Sequence, residues 1–296
     1  MTIKHNALMI AAASLTLIVL IPVIVFFARS PVLIVNDPGF VSLYGEDRIL
    51  AEQRRASISL FRAVKTVLIA DDAADEIARI AISEVSSRPF CVIFPLRFTR
   101  SARVFRNENP KVRVILLEGR HGDERYASIL GLSDGDYFIF KTDIESDFYR
   151  AGLAAASIAV KGNGKMAVFL ESGISPLAEE AFSRAVNSLE KPPEILFYAS
   201  FSQDDETPDV SCVVLAGAGA EYLERETGVP VIAFAWIDTL WMPKEVVIVI
   251  DDSPWIQAER AVRMTRAGVK NSLIQSKFTI LDRKKFDRDA LRKIQK

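Results

Sequence analysis

The chain has 296 residues, 50% of them hydrophobic and 25% charged, so it is long enough to bury one large core or two moderate ones. Its formal net charge of −1 gives the chain as a whole no attraction for nucleic acid or for an acidic membrane surface. The only cysteines, Cys91 and Cys212, each lie in an apolar run. They are predicted to be buried thiols in strands, because two cysteines give no disulfide framework.

Residues 7–28 form an uncharged apolar stretch of 22 residues. A helix of that length reaches roughly 30 Å, the thickness of the hydrocarbon core of a bilayer. The run is long for a signal peptide, and the flank 26–31 offers no good small-x-small cleavage site, so we predict an uncleaved membrane anchor over residues 1–30. Lys4 and His5 precede the run and Arg29 follows it. A short N-terminal tail favours an extracytoplasmic, periplasmic location for the rest of the chain.

After the anchor, short β-branched runs alternate with segments of helical period. In the first half, strands are predicted at 31–35, 66–70, 90–94, 112–117 and 137–140, and helices at 46–64, 73–85, 99–107 and 147–160. In the second half, strands are predicted at 165–170, 195–199, 211–216, 229–235, 246–250 and 278–281, and helices at 176–189, 221–227 and 254–267. The strands are continuously apolar, which indicates burial on both faces and hence parallel sheets covered by helices.

The number of βα units is too large for a single sheet. We therefore predict an α/β fold of two doubly wound parallel-sheet lobes behind one N-terminal transmembrane helix. The predicted parts are the anchor 1–30, a first lobe 31–142, a second lobe 143–245, a return segment 246–281 that closes the lobes, and a charged tail 282–296. The tail is expected to be a solvated surface helix with a thin apolar stripe. Ligands of parallel sheets bind beyond the carboxyl ends of the strands, so the cleft between the lobes is the expected site.

Catalysis has little support in the sequence. The only histidines are His5, before the apolar run, and His121, in a polar loop. The nucleophile elbow, the P-loop and the zinc and redox motifs are all missing. The acidic cluster at 204–206 is predicted to be a solvated loop. We therefore predict no catalytic residue, no metal site and no cofactor, and a protein that is not an enzyme.

Several residues near strand ends are candidates for ligand binding. Gly217 and Gly219 follow a buried strand and open a predicted helix, where glycine lets a ligand approach backbone N–H groups. Asp251 ends a strand before a helix, as either a helix cap or a carboxylate that faces a ligand. Phe40 and Trp236 could stack on a planar ligand, with core packing as the alternative for each.

Six segments are similar in sequence to segments of a known family: Phe90–Pro95, Asn109–Glu118, Phe148–Gly152, Phe197–Phe201, Val213–Ala220 and Val231–Asp238. In their order, over about residues 31–272, they resemble the type I periplasmic binding protein fold. The closest resemblance is to the basic membrane protein family of substrate-binding lipoproteins. That family binds small solutes, nucleosides among them, and delivers them to an ABC transporter.

The resemblance implies particular site residues. Asp37 and Phe40 match the loop after the family's first strand, and Asp238 matches an acidic ligand contact in the second lobe. The chain departs from the family pattern at 41–44, and Asp251 stands where a lysine is expected. The lipoprotein cysteine is replaced by the apolar run of residues 7–28.

These observations predict a membrane-tethered, extracytoplasmic solute-binding protein in the cytoplasmic membrane. Asp37, Asp238 and Asp251 would bond to hydroxyl groups or an amine of a nucleoside- or sugar-like ligand, while Phe40 and Trp236 would stack on it. The expected partners are the ligand, the bilayer through residues 7–28, and an ABC transporter permease, with no nucleic acid. The alternative is a degenerate binding-protein fold that acts as a structural or interaction protein of the cell envelope without a ligand.

Overall fold

The computed structural model describes residues 20–70, 74–118, 137–202, 204–225, 227–234 and 243–294. The chain divides into two compact units, with the division between Leu116 and Leu117. The elements up to that division are α1 (20–28), β1 (Val32–Asn36), α2 (Pro38–Tyr44), α3 (Glu46–Leu60), β2 (Val64–Leu68), α4 (Asp75–Val85), β3 (Cys91–Pro95), a 3₁₀ helix (Leu96–Phe98), α5 (Thr99–Glu108) and β4 (Arg113–Glu118), which runs across it.

The remaining helices and strands continue in chain order. They are β5 (Phe138–Thr142), α6 (Ile144–Ala159), β6 (Lys165–Leu170), α7 (Pro176–Asn187), β7 (Glu194–Tyr198), β8 (Cys212–Ala216), a 3₁₀ helix (Ala220–Glu224), β9 (Val231–Phe234), β10 (Val246–Asp251), α8 (Pro254–Arg266), β11 (Asn271–Ile274), β12 (Lys277–Ile280), a 3₁₀ helix (Arg283–Lys285) and α9 (Arg288–Ile294).

Within the described residues, the strands form two sheets of six. The order in the first sheet is β11-β5-β4-β3-β1-β2, and the order in the second is β12-β10-β9-β8-β6-β7. In the first sheet β1 pairs in parallel with both β2 and β3. In the second sheet β8 pairs in parallel with both β6 and β9, whereas the edge strand β12 is antiparallel to β10. The predicted α/β class with two parallel-sheet lobes is therefore confirmed.

Burial explains why these segments form strands. All five residues of β1 and all five of β8 are buried, as expected for strands covered on both faces. The helices α6 and α7 pack closely because α6 carries small residues along its contact. A Cβ added at Gly152 would lie 2.7 Å from the backbone oxygen of Phe182, so no larger residue fits without a shift.

Four local features differ from the sequence-based expectation. Helix α2 and strand β11 were not predicted, because each is short and has a weak periodic signal. The helix expected at 221–227 is a five-residue 3₁₀ helix. The tail is not simply solvated, since Phe286 is 6% exposed, Ile294 is 0% exposed, and both pack in the core beside α6.

The predicted anchor falls mostly outside the described residues. Residues 1–19 are among those not described, and residues 20–28 form α1. In the described part of the chain, no helix combines the length and the apolar character needed to cross a membrane.

Candidate functional site

The carboxyl edge of the first sheet carries a buried asparagine and a buried aspartate side by side. Asn36, the last residue of β1, is 4% exposed, and its amide Nδ2 has no hydrogen-bond partner among the described residues. Asp37 follows it, and its Oδ1 accepts a hydrogen bond of 2.9 Å from the backbone N–H of Phe40. Asp37 thus caps α2, with Pro38 in the first turn.

The second oxygen of Asp37 is also engaged within the protein. Arg97, in the 3₁₀ helix after β3, forms an ion pair with Oδ2 of Asp37. The ring of Phe40 is buried and lies 4.8 Å from that of Tyr44. The structure therefore brings the two predicted site residues of this unit together, but it gives each of them a partner in the protein.

A second acid at this edge links two helices. Asp75, in the first turn of α4, lies 2.9 Å from Nε of Arg100 and accepts a hydrogen bond of 3.1 Å from Ser101. Each of these two acids is therefore paired with an arginine, Asp37 with Arg97 and Asp75 with Arg100. Asn36, Asp75 and the arginines were missed in the sequence, although Asn36 is the one polar residue of an otherwise apolar strand.

In the second unit, the two glycines at the end of β8 lie where no other residue fits without strain. Gly217 has φ of 92° and Gly219 has φ of 78°. A Cβ at Gly217 would lie 2.6 Å from the Cβ of Glu171, and a Cβ at Gly219 would lie 2.7 Å from the Phe169 ring. Close packing and left-handed backbone therefore account for these glycines, and the five-residue 3₁₀ helix that follows has only a small dipole.

Asp251 lies at the same carboxyl edge as Gly217, because β8, β9 and β10 are neighbouring strands of the second sheet. Two strand spacings separate the two residues, which corresponds to roughly 10 Å. Oδ1 of Asp251 accepts a hydrogen bond of 3.2 Å from the backbone N–H of Ser253, the residue that caps α8. The predicted site residues Trp236 and Asp238 lie outside the described residues.

A cavity of about 530 Å³ opens at the ends of β6 and β7. Its walls include aromatic rings: Tyr198 stacks on Phe169 with ring centroids 5.1 Å apart, and Phe201 meets Phe169 edge-on at 5.3 Å. Asp205 and Glu206 also line it, which places part of the acidic loop 204–206 against an aromatic wall. Such a combination can hold a polar molecule with one flat apolar face. Among the described residues, no group of acids, histidines or cysteines is arranged to hold a metal ion.

A buried carboxyl lies apart from this cavity, at the start of α6. Asp147 is 1% exposed and accepts hydrogen bonds from the backbone and hydroxyl groups of Ser276. Burial raises the pKa of Asp147 from 3.8 to about 7, against the lowering effect of those hydrogen bonds. One turn on, Arg150 lies 3.7 Å above the Phe278 ring and donates a hydrogen bond of 2.7 Å to the backbone oxygen of Ile294.

Comparison with solved structures identifies the fold. A transcriptional activator of the comK gene from Bacillus halodurans superposes with a TM-score of 0.62 at 13% identity, over 90% of this chain and 95% of that one. An ABC transporter periplasmic solute-binding protein from Actinobacillus succinogenes 130z, with bound D-allose, gives 0.53 at 13% identity over 85% and 98%. A solute-binding protein from Agrobacterium vitis, bound with α-D-tagatopyranose, gives 0.50 at 14% identity over 89% and 98%.

These likenesses show that the chain has the type I periplasmic-binding-protein fold, which solute-binding proteins and transcriptional regulators share. At such identities they show the fold and no more. No family model matches the sequence, and no curated protein matches it either.

Proposed function

We propose that this protein is a membrane-tethered, extracytoplasmic solute-binding protein whose ligand is a small, hydroxyl-rich molecule such as a sugar or a nucleoside. The fold supports this proposal, since two of the similar structures hold a monosaccharide. The basic membrane protein family is the particular group proposed, because six segments of the sequence resemble it. An ABC transporter permease is the proposed recipient of the solute.

The observation that carries the proposal is the buried amide of Asn36, which has no hydrogen-bond partner in the part of the chain that the structure describes. Buried polar groups in native proteins are almost always hydrogen-bonded, and an orphaned one costs about 1–3 kcal/mol. This amide lies at the carboxyl end of an interior strand, the edge at which parallel α/β sheets bind ligands. A ligand hydroxyl would accept a hydrogen bond from this amide.

In the second unit, the cavity at the ends of β6 and β7 suits the same class of ligand. The ring of Tyr198, which is 36% exposed, offers a flat surface for a sugar or a base, and Asp205 and Glu206 offer acceptors for hydroxyl groups. Asp251, Trp236 and Asp238 remain predicted ligand contacts.

The tether is proposed from the apolar run of residues 7–28. Its described part, α1, is a helix with exposed large apolar side chains: Ile24 is 57% exposed and Phe27 is 79% exposed. A bilayer would remove such side chains from water, at roughly 25 cal/mol for each Å².

One observation favours the alternative of an interaction protein without a ligand. Both carboxylate oxygens of Asp37 are engaged, one by the N–H of Phe40 and the other by Arg97. A site whose acid is satisfied from within the protein has one fewer group to offer a solute. A partner protein that copurifies with the full chain, together with no response to any solute, would favour this alternative.

Thermal unfolding of the full chain in detergent micelles tests the proposal against a panel of sugars, nucleosides and amines. A ligand at a hundredfold excess over its Kd raises stability by about 2.7 kcal/mol, which corresponds to a rise in Tm of roughly 5–10 °C. The rise should vanish in Asn36→Val and persist in Asn187→Ala, a control at an exposed asparagine. A cooperatively folded chain that responds to none of the panel would refute the proposal.

A further inference from the structure

The amino ends of the first four strands form an edge that is basic and contains no acid. The segments 29–31, 61–63, 86–90 and 109–113 lead into β1, β2, β3 and β4. They contain five cationic residues and no aspartate or glutamate: Arg29, Arg62, Arg88, Lys111 and Arg113. We call this set the basic edge. It stands out in a chain whose net charge is −1.

The second sheet provides an internal comparison. Counted in the same way, up to the first residue of each strand, the segments 160–165, 188–194, 209–212 and 243–246 lead into β6, β7, β8 and β10. They contain four cations and four acids: Lys161, Lys165, Lys191 and Lys244, and Glu190, Glu194, Asp209 and Glu245. Both edges belong to the same fold, so the amino end of such a sheet does not by itself require a cluster of positive charge. The excess of positive charge on the basic edge therefore points to an anionic partner.

Four of the five cations of the basic edge are available to an anionic partner. Arg29, Arg88, Lys111 and Arg113 are all exposed, and none of them forms an ion pair with a carboxylate in the described part of the chain. Like charges held close together without counter-ions destabilise a fold. An anionic surface would relieve that repulsion.

The basic edge is continuous with the exposed apolar helix α1. The ring of Phe26, in α1, lies 5.9 Å from that of Phe61, and the Arg29 guanidinium lies 5.0 Å above the Phe61 ring. Arg29 also donates a hydrogen bond of 3.3 Å to the backbone oxygen of Phe61. These contacts fix the end of α1 against the start of the sheet.

Contacts with the rings of Phe61 and Phe90 continue from α1 across the basic edge. Arg62 donates a hydrogen bond to the backbone oxygen of Ser30, which follows α1. The guanidinium groups of Arg62 and Arg113 lie 4.0 and 5.0 Å from the centre of the Phe90 ring. Apolar side chains, aromatic rings and cations thus follow one another from α1 onto the sheet, the order of groups at a membrane interface.

We propose that the basic edge docks on the anionic headgroups of the bilayer that holds the anchor. This inference rests on the tether proposed above and adds an orientation to it, with the amino ends of β1–β4 facing the lipid. Each arginine or lysine at an anionic lipid surface contributes on the order of fivefold in binding, and salt screens the effect. Three such cations would favour the docked orientation by on the order of a hundredfold over an undocked one.

A site-specific fluorophore on the full chain tests the orientation in lipid nanodiscs. Cys91 and Cys212 are 0% exposed, so a label attaches to a cysteine added at the surface. Ser87→Cys places it beside Arg88, on the basic edge. Ala70→Cys places it at the opposite end of the same sheet, roughly 20 Å away along β2. Lipids with a quencher on the headgroup then report how close each label lies to the bilayer.

With one-third anionic phosphatidylglycerol, quenching at position 87 should exceed that in pure phosphatidylcholine, and 0.5 M salt should abolish the excess. Position 70 should show no such difference. The triple variant Arg88→Gln, Lys111→Gln and Arg113→Gln should lose the excess quenching. The matched variant Lys161→Gln, Lys191→Gln and Lys244→Gln, which removes the same charge from the second sheet, should keep it.

The possible failures are distinguishable. A chain that does not float with vesicles of any composition refutes the tether and the docked orientation together. A chain that floats, but whose label at position 87 responds equally to both lipids, refutes the docked orientation alone. The same conclusion follows if the triple variant keeps the excess quenching, or if it changes only the number of copies in each nanodisc, which would indicate a second copy as the occupant.

Discussion

Asp147 and Ser276, separated by 129 residues in the chain, are joined by hydrogen bonds from both the backbone N–H and the hydroxyl of the serine. The backbone N–H lies 2.9 Å from Oδ1 and 3.1 Å from Oδ2 of the aspartate. The pair attaches the start of α6 to the turn between β11 and β12. A titrating carboxyl therefore holds two distant parts of the second unit together.

The first prediction concerns the pH dependence of stability. Burial raises the pKa of Asp147 from 3.8 to about 7, so between these values the folded chain holds a proton that the unfolded chain releases. Its contribution is most favourable below about pH 4 and is lost as the pH rises to about 7. The free energy of unfolding of Asp147→Asn, measured in urea, should therefore rise by roughly 2–4 kcal/mol relative to that of the wild-type chain as the pH increases from 4 to 8.

Asparagine keeps the shape of the side chain and an oxygen that accepts from Ser276, so the comparison isolates ionisation. The difference between the two proteins is the informative quantity, because other groups titrate equally in both. Parallel stability profiles across this range would mean that Asp147 titrates near its ordinary pKa in the folded chain.

The second prediction concerns the charged tail. Ile294 is 0% exposed and packs in the core of the second unit, although the sequence around it is strongly charged. Ile294→Ala should lower the free energy of unfolding by about 2–4 kcal/mol, because it removes buried methyl groups and leaves a cavity. Ile58→Ala, at a side chain that is 78% exposed on α3, is the matched control and should change stability by less than about 0.5 kcal/mol. Equal effects of the two substitutions would contradict the burial of the tail.

The tail also shows what could be predicted from the sequence and what could not. Continuous apolar runs such as those of β1 and β8 identify the parallel sheets, because only strands covered on both faces lack a polar face. The amphipathic period of α9 is too short to show whether its apolar stripe meets a core or water. That depends on α6, 129 or more residues earlier, whose Arg150 bonds to the end of the tail.

The site was harder to predict than the fold for a similar reason. Asp37 and Phe40 were predicted because the resemblance to the basic membrane protein family places them in the loop after the first strand. Arg97, which neutralises Asp37, comes from a different loop, and sequence patterns carry little information about such contacts. The amide of Asn36 becomes a candidate only when its lack of a partner is known, which requires the packing around it.

The third prediction follows from that amide. Replacing a buried polar group that lacks a partner by an apolar one of similar size is neutral or stabilising, because the cost of burying the group disappears. Asn36→Val should therefore keep the free energy of unfolding, or raise it by about 1–2 kcal/mol, while it removes the response to solutes. A loss of more than 2 kcal/mol in urea unfolding would mean that Asn36 has a structural partner, and would remove the main support for a ligand at this edge.

The last prediction separates backbone strain from side-chain contact at the end of β8. Gly164 and Gly219 have nearly the same φ, 76° and 78°, but a Cβ at Gly164 meets nothing within 4 Å, whereas a Cβ at Gly219 would lie 2.7 Å from the Phe169 ring. Gly164→Ala should cost about 1 kcal/mol in urea unfolding, from the left-handed backbone alone. Gly219→Ala should cost that amount and about 1–3 kcal/mol more, because Phe169 must move from its packed position.

Because Phe169 also lines the cavity at β6 and β7, its displacement should weaken solute binding in Gly219→Ala and leave it unchanged in Gly164→Ala. Equal costs for the two substitutions would show that the ring yields freely, and that Gly219 is required for its backbone conformation only.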